Sequence, residues 1–153
     1  MVELIDQKPF EYARLYNLNP KDFSGPAHAK LKITRPLREH FDQNRIRYDI
    51  EVKGSDIDAP FGLGDFTLTD GDLFLTADKE GMTIKGPAKI GPLESHINWR
   101  ENFDYGATPT TLNLSSHINS EALDKLGLSL REYFGGDIPF TLQASGELSL
   151  IHI

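Results

Sequence analysis

The chain contains no cysteine, a single tryptophan and no long apolar run. Without cysteine it can form no disulfide, no thiolate zinc site and no cysteine nucleophile, and this absence is compatible with either redox environment. No stretch approaches the ~20 apolar residues of a transmembrane helix, and the N-terminus lacks the basic and apolar regions of a signal peptide. If the native protein is exported or membrane-anchored, we expect its targeting signal to lie outside this segment.

Basic residues are scarce in the second part of the chain. The formal net charge is -7, and residues 61–153 carry six basic against thirteen acidic side chains. Phosphate binding needs a clustered basic face, so we do not expect a nucleic-acid partner. With 39% hydrophobic and 25% charged residues, the composition fits one globular domain.

The last six residues differ in origin from the rest of the chain in our interpretation. Residues 148–153, "LSLIHI", match the translation of a transposon-end adapter used in sequencing libraries, and we interpret them as a sequencing or cloning scar. We therefore expect residues 1–147 to form a single β domain that is a fragment of a longer chain, with Met1 as an internal start.

Hydrophobic residues alternate with polar ones over most of the sequence, which is the pattern of half-buried strands. It predicts strands over 27–34, 45–53, 66–68, 73–77, 82–85, 110–118 and 138–144, and one long strand over 86–103. Asp70-Gly71 and Glu80-Gly81 are predicted to be the hairpin turns of a meander. Most of the predicted strands are shorter than nine residues.

Two segments have helical signals instead. Residues 9–18, "PFEYARLYNL", precede a break at Asn19-Pro20, and residues 119–127 offer Asn119 or Ser120 as N-cap and Gly127 as a stop. The predicted fold class is therefore mostly β: an antiparallel meander sheet curved into a groove, or a sandwich, with one or two short helices.

No group of residues indicates catalysis or metal binding. The acids of "TDGDLFLTADKEG" lack the spacing of an EF-hand, and nucleophile, phosphate-loop and dinucleotide motifs are absent. The histidines are scattered without ligand spacing and are interpreted as solvated surface residues; they are His28, His40, His96, His117 and His152. We expect no enzyme, no metal site and no cofactor.

The order of three segments resembles a known family. These are "NLNPKDFSGPAHAKLKITRPL" (17–37), "LTDGDLFLTADKEGMTIKGPAKIGPLESHINWRENF" (68–103), and "SSHINSEALDKLGL" followed by "GGDIPFTLQASGE". Together they cover most of residues 15–147 and resemble the YhdP branch of the AsmA-like proteins, in the domain next to the N-terminal membrane anchor. Specificity comes from their succession, since no single motif is a catalytic signature.

The resemblance implies a piece of a bridge-like protein of the Gram-negative envelope, periplasmic and tethered to the inner membrane through a segment absent here. Its expected partners are phospholipid, the anchor and further β-groove segments of the full-length chain. In that family a hydrophobic β groove is associated with moving phospholipid between inner and outer membrane. The predicted groove residues are Ile46, Tyr48, Ile50, Val52, Phe66, Leu68, Leu73, Leu75, Leu93, Ile97, Trp99, Leu112 and Leu114. Solvent-facing residues are predicted to be Arg45, Arg47, Glu51, Glu94 and Arg100.

Three other interpretations remain open on the residues alone. The apolar parity also fits an ordinary sandwich core in which Trp99 and Phe103 are packing anchors. A non-catalytic sandwich module for adhesion or carbohydrate binding would use Trp99 and the tyrosines as contacts. Part of an outer-membrane barrel would need lipid-facing strands of about 9 to 11 residues, longer than most strands predicted here.

Overall fold

The computed structural model describes residues 20–36, 46–60, 66–103, 110–125 and 136–146, and these residues form one antiparallel sheet with a short helix. The strands are β1 (Ala27–Thr34), β2 (Arg47–Pro60), β3 (Thr67–Ala77), β4 (Gly81–Ile90), β5 (Leu93–Asn102), β6 (Thr110–Ile118) and β7 (Ile138–Gly146). The helix α1 (Ser120–Lys125) lies between β6 and β7 in the chain, and a 3₁₀ turn (Pro20–Asp22) precedes β1.

The sheet is a simple meander, because spatial order follows chain order from β1 to β7 and every neighbouring pair is antiparallel. The predicted fold class, mostly β with an antiparallel meander and a short helix, is confirmed. All seven described strands belong to a single sheet rather than to the two sheets of a sandwich.

The stretch 86–103 is two strands, so the prediction of one long strand was wrong. The two-residue connection Gly91-Pro92 joins β4 to β5, and Gly91 has a φ of 54°, in the left-handed region that glycine adopts without strain. Ile90 and Leu93 face each other across this hairpin. A two-residue turn reverses the chain but keeps both flanking residues on one face, which is why the sequence looks like one amphipathic strand.

The predicted hairpin turn at Asp70-Gly71 is also wrong, since both residues lie inside β3. Asp70 has a φ of 51°, and the pairing of β3 with β4 slips between Thr69 and Phe74. This is a β-bulge, which uses the same residue types as a tight turn because both need a positive φ. The two short runs predicted on either side are therefore one strand.

A second irregular region extends β2 beyond its predicted end at residue 53. Register shifts between Gly54 and Ile57 and between Ile57 and Ala59 let β2 continue to Pro60. Strands are consequently 8 to 14 residues long. The expectation that most strands would be shorter than nine residues is therefore wrong. The comparison with the about 9 to 11 residues of outer-membrane barrel strands, which used that expectation, is wrong as well.

Two predicted element ends are found in the structure. The turn before Gly81 forms as predicted, with the Asp78 carboxylate accepting hydrogen bonds from the backbone N–H groups of Glu80 (2.8 Å) and Gly81 (3.1 Å). Asn119 is the N-cap of α1, where its side-chain oxygen accepts a hydrogen bond from the Ala122 N–H at 2.9 Å. The helix predicted over 9–18 and the stop predicted at Gly127 lie outside the described residues.

The buried residues concentrate on one face at the centre of the sheet. The packed cluster comprises Leu68, Ala88, Ile90, Ile97 and Leu114, with Leu73, Trp99 and Leu112 against it. Ile97 is its most enclosed member at 2% exposure. The core therefore lies on the side of the sheet that the alternation predicted to be apolar.

Candidate functional site

Cross-strand register places the apolar side chains in continuous rows, because residues directly opposite in an antiparallel pair point to the same side. One row crosses all seven strands: Ala29, Val52, Leu75, Ile84, Trp99, Leu112 and Ala144. The parallel row toward the other end of the strands includes Leu68, Ile90, Leu93 and, further along, Ile118 and Ile138. We call the side that carries these rows the apolar face and the opposite side the outer face.

All thirteen predicted groove residues belong to the apolar face or adjoin it. Ile46 and Phe66 lie immediately before β2 and β3, and the others lie within strands. Leu68 keeps the same side as Leu73 and Leu75 despite an odd sequence spacing, because the bulge in β3 adds a residue between them. The structure thus brings the predicted residues together as one surface.

Burial falls from the centre of the apolar face toward both edges. Ile97 and Leu114 are nearly closed to solvent, whereas Leu31 on β1 and Leu142 on β7 are 46% and 42% exposed. Tyr48, Ile50 and Val52 of β2 are half-buried. The centre therefore packs as a core, and the flanks present apolar surface to water.

Several residues of this face were left out of the predicted set. They are Leu31, Ile33, Ile84, Ala88, Ile90, Ile138, Phe140 and Leu142. Their alternation with polar neighbours was a sufficient signal for each strand. What the sequence could not supply was the register that places β1 and β7 beside the others.

The hydroxyl groups of two buried serines on the apolar face are hydrogen-bonded to backbone carbonyls. The Ser116 hydroxyl donates to the backbone carbonyl of Glu94 at 2.6 Å, and the Ser95 hydroxyl donates to the carbonyl of Leu93 at 3.2 Å. Because their donors are satisfied within the sheet, these buried hydroxyls do not interrupt the apolar surface.

A stronger polar feature lies at the other end of β5. Glu101 and Thr110 face each other across β5 and β6, each is 4% exposed, and the Thr110 hydroxyl donates to the Glu101 carboxylate at 2.7 Å. Trp99 lies on the same face two residues before Glu101. Its indole nitrogen is buried and has no hydrogen-bond acceptor among the described residues. Sequence reasoning missed Glu101, although it shares the parity of Ile97 and Trp99.

The outer face carries the charge. All lysine and arginine side chains of the described strands project there, namely Lys30, Lys32, Arg47, Lys53, Lys85, Lys89 and Arg100. His28, His96 and His117 are exposed on the same side, as predicted, while His40 and His152 lie outside the described residues. The predicted solvent-facing residues Arg47, Glu51, Glu94 and Arg100 are exposed, and Arg45 is not described.

Ion pairs on the outer face are solvent-exposed. Lys89 contacts Asp70 at 2.7 Å, and Lys30 approaches Glu51 at 3.9 Å. The hydrogen bond from Lys89 and the negative charge of Asp70 raise the pKa of Lys89 above its ordinary value. Exposed pairs of this kind are screened by water and salt, so they contribute little to stability.

A polar cavity of about 450 Å³ lies where the ends of β5 and β6 approach α1, and its lining includes Glu94, His117, Glu121, Lys125 and Asp137. Within the described ranges no three His, Asp or Glu side chains are placed to hold a metal ion. The same part of the chain contains no helix of the length and apolarity needed to cross a membrane. The apolar face is therefore the stronger candidate site.

Comparison of the chain with protein-family models, with curated proteins and with solved structures finds no match.

Proposed function

We propose that this chain is a segment of an envelope-spanning protein of the AsmA-like, YhdP-branch type, and that its apolar face shields phospholipid acyl chains during transfer between inner and outer membrane. One observation carries the proposal: rows of apolar side chains cross a single seven-stranded sheet without a break and remain exposed at both of its edges. The resemblance of residues 15–147 to that family supports the same role, in the periplasm. The role needs no catalytic group and no cofactor.

The energetic need for such a surface is large. Each acyl methylene exposed to water costs about 0.8 kcal/mol, so two chains of ordinary length cost on the order of 25 kcal/mol. A lipid therefore does not cross an aqueous compartment unaided. A sheet with one apolar face covers the chains while the headgroup stays in water.

The dimensions of the apolar face suit this cargo. Adjacent strands lie about 4.8 Å apart, so seven strands span about 29 Å across the sheet. From Leu93 to Trp99 the strand direction covers about 20 Å at about 3.4 Å per residue. The hydrocarbon of one bilayer leaflet is about 15 Å thick, and the apolar rows are long enough to cover it.

The single tryptophan makes the proposal directly testable. Trp99 lies on the apolar face, so its fluorescence reports contact with acyl chains that carry bromine, a short-range quencher. The protein is incubated with phosphatidylethanolamine–phosphatidylglycerol vesicles of brominated lipid, the vesicles are sedimented, and emission is measured on the protein left in solution. We expect quenching relative to the same lipids without bromine.

A matched variant controls for contact with the wrong face. In the double substitution Trp99→Phe with Asn98→Trp the indole moves to the neighbouring residue, which is exposed on the outer face of the same strand. Its emission should be little affected by brominated lipid. Equal quenching of the two proteins, or none in either, would refute acyl-chain binding on the apolar face.

Native mass spectrometry after expression in a Gram-negative host gives an independent measure. Leu142→Glu places a charge on the apolar face at an exposed edge position, and Thr141→Glu places it one residue away on the outer face. We expect co-purified phospholipid in the unchanged protein and in Thr141→Glu, and its loss in Leu142→Glu. Because both positions are exposed, neither substitution opens the packed centre.

A further inference from the structure

One row of side chains on the outer face crosses the sheet from β2 to β7 without an acidic residue. Each member lies directly opposite the next in the strand register. We call it the outer row, and its members are Lys53, Phe74, Lys85, Asn98, Asn113 and Gln143. In a chain with a net charge of -7, an acid-free row that holds two lysines is a local concentration of positive charge.

Phe74 is the unusual member of the outer row. The other phenylalanine, tyrosine and tryptophan side chains of the described strands, Tyr48, Trp99 and Phe140, lie on the apolar face. Phe74 is half-buried, with Lys53 and Lys85 directly opposite it on the two neighbouring strands. The Lys85 Nζ lies 5.9 Å from the centre of the ring, at the outer limit of a cation–π contact. The ring is therefore an apolar platform between two ammonium groups on a face that is otherwise polar.

Three amide side chains extend this platform toward β7. Asn98 and Gln143 are exposed and Asn113 is half-buried, and none of the three amide groups has a hydrogen-bond partner among the described residues. Each amide offers two N–H donors and a carbonyl acceptor, and so complements hydroxyl groups, which both donate and accept. Adjacent strands lie about 4.8 Å apart, so the row extends about 24 Å from Lys53 to Gln143, which is room for several linked sugar rings.

We propose that the outer row binds an acidic polysaccharide. A sugar ring has an apolar side that packs on an aromatic ring and hydroxyl groups that amides bind, and an acidic sugar adds an anion that pairs with lysine. The outer row supplies a counterpart for each of these groups: the ring of Phe74, the three amides, and the ammonium groups of Lys53 and Lys85. The site lies on the opposite side of the sheet from the proposed lipid surface and does not depend on it.

The distribution of charge along the row favours a polysaccharide over a nucleic acid. A nucleic acid carries a phosphate at every nucleotide, and proteins that bind single strands stack successive bases on several aromatic rings within a basic groove. The outer row has one such ring, flanked by its two lysines, and then three neutral amides. This order matches a polymer in which hydroxyl groups outnumber charges.

Isothermal titration calorimetry with a hexasaccharide of polygalacturonate tests the site. We expect this acidic probe to bind about tenfold more tightly than maltohexaose, which is uncharged, and than a six-nucleotide single strand of DNA. Lys85→Gln should weaken its binding about tenfold, the effect of one charge-assisted hydrogen bond. Lys32→Gln removes the same charge from the outer face outside the row, and should change the affinity by about twofold or less.

Two further variants separate the outer row from general charge attraction. Phe74→Leu keeps the apolar bulk but removes the ring, and should weaken binding even in about 0.5 M salt, because stacking is not screened. Asn98→Asp places an acid in the row at an exposed position, where the fold tolerates it, and should weaken binding about tenfold. Thermal melts show that each variant is folded.

Four results would overturn the inference. They are the absence of binding heat with the acidic hexasaccharide, equal losses in Lys85→Gln and Lys32→Gln, an unchanged affinity in Asn98→Asp, and tighter binding of the DNA strand than of the hexasaccharide. Each of them would leave the proposed lipid surface on the apolar face untouched.

Discussion

Replacing Ile97 by alanine should destabilise the sheet by about 3 to 4 kcal/mol. Ile97 is 2% exposed and lies in the middle of the buried cluster, opposite Leu114 on the neighbouring strand. Deleting about three methyl or methylene groups removes about 2.4 kcal/mol of transfer free energy, and the cavity left among rigid neighbours adds to this. The total is within the range of about 2 to 5 kcal/mol found for buried isoleucine.

Urea denaturation followed by Trp99 fluorescence measures the loss, because the tryptophan packs against the same cluster. With a denaturant slope near 2 kcal/mol per molar, the midpoint should fall by about 1.5 to 2 M. Leu114→Ala should give a similar fall, since that side chain is 5% exposed in the same cluster.

Leu31→Ala is the matched control, on the same face but at the edge of the sheet. Its side chain is 46% exposed, so much less apolar surface leaves water on folding and the expected loss is about 1 kcal/mol or less. If Ile97→Ala and Leu31→Ala cost the same, the reasoning that separates a packed centre from open flanks would be refuted. In that case, residues at the centre of the apolar face would have to be tested for lipid contact as well as those at its edges.

Three further predictions concern the backbone, the helix and the outer face. Gly86→Ala should lower the free energy of unfolding by at least about 2 kcal/mol, because φ at Gly86 is 148° and an added Cβ would overlap a carbonyl oxygen of β3. Gly146→Ala is the control: an added Cβ there meets open space, so its melting temperature should be nearly unchanged. Asn119→Ala should lower the unfolding free energy by about 1 kcal/mol, since it removes the N-cap hydrogen bond; an unchanged urea midpoint would contradict this. In NMR, the Lys89 ammonium should titrate with a pKa above its ordinary value of about 10.5. The ion pair with Asp70 should stabilise the fold below the ordinary pKa, and this contribution should be lost as pH rises through the raised pKa. Asp70→Asn should restore the ordinary pKa of Lys89.

The alternation of the chain was enough to predict several elements closely. β6 runs over the predicted residues 110–118, β1 over 27–34, and β7 begins at the predicted Ile138. Each has a regular period of two bounded by glycine, proline or a helix cap, and such signals are local. The N-cap was predicted at Asn119 or Ser120 for the same reason, and the structure selects Asn119.

The errors share one physical origin. Asp70-Gly71 and Gly91-Pro92 both combine a residue suited to positive φ with flanking apolar runs, yet the first is a bulge within a strand and the second a hairpin turn. A bulge and a turn make the same local demand on φ, and they differ in whether the next segment pairs onward or folds back. That difference depends on the neighbouring strand.

Within each regular stretch of strand, the sequence by itself determined which residues share a face, because side-chain direction alternates along the strand. Only the tertiary structure decided that β1 to β7 pair in chain order, that Ile97 lies at the packed centre while Leu31 and Leu142 stay exposed, and that Glu101 meets Thr110 on the apolar face. These facts depend on register and strand order, which are set by contacts between residues far apart in the chain, and no local pattern encodes them.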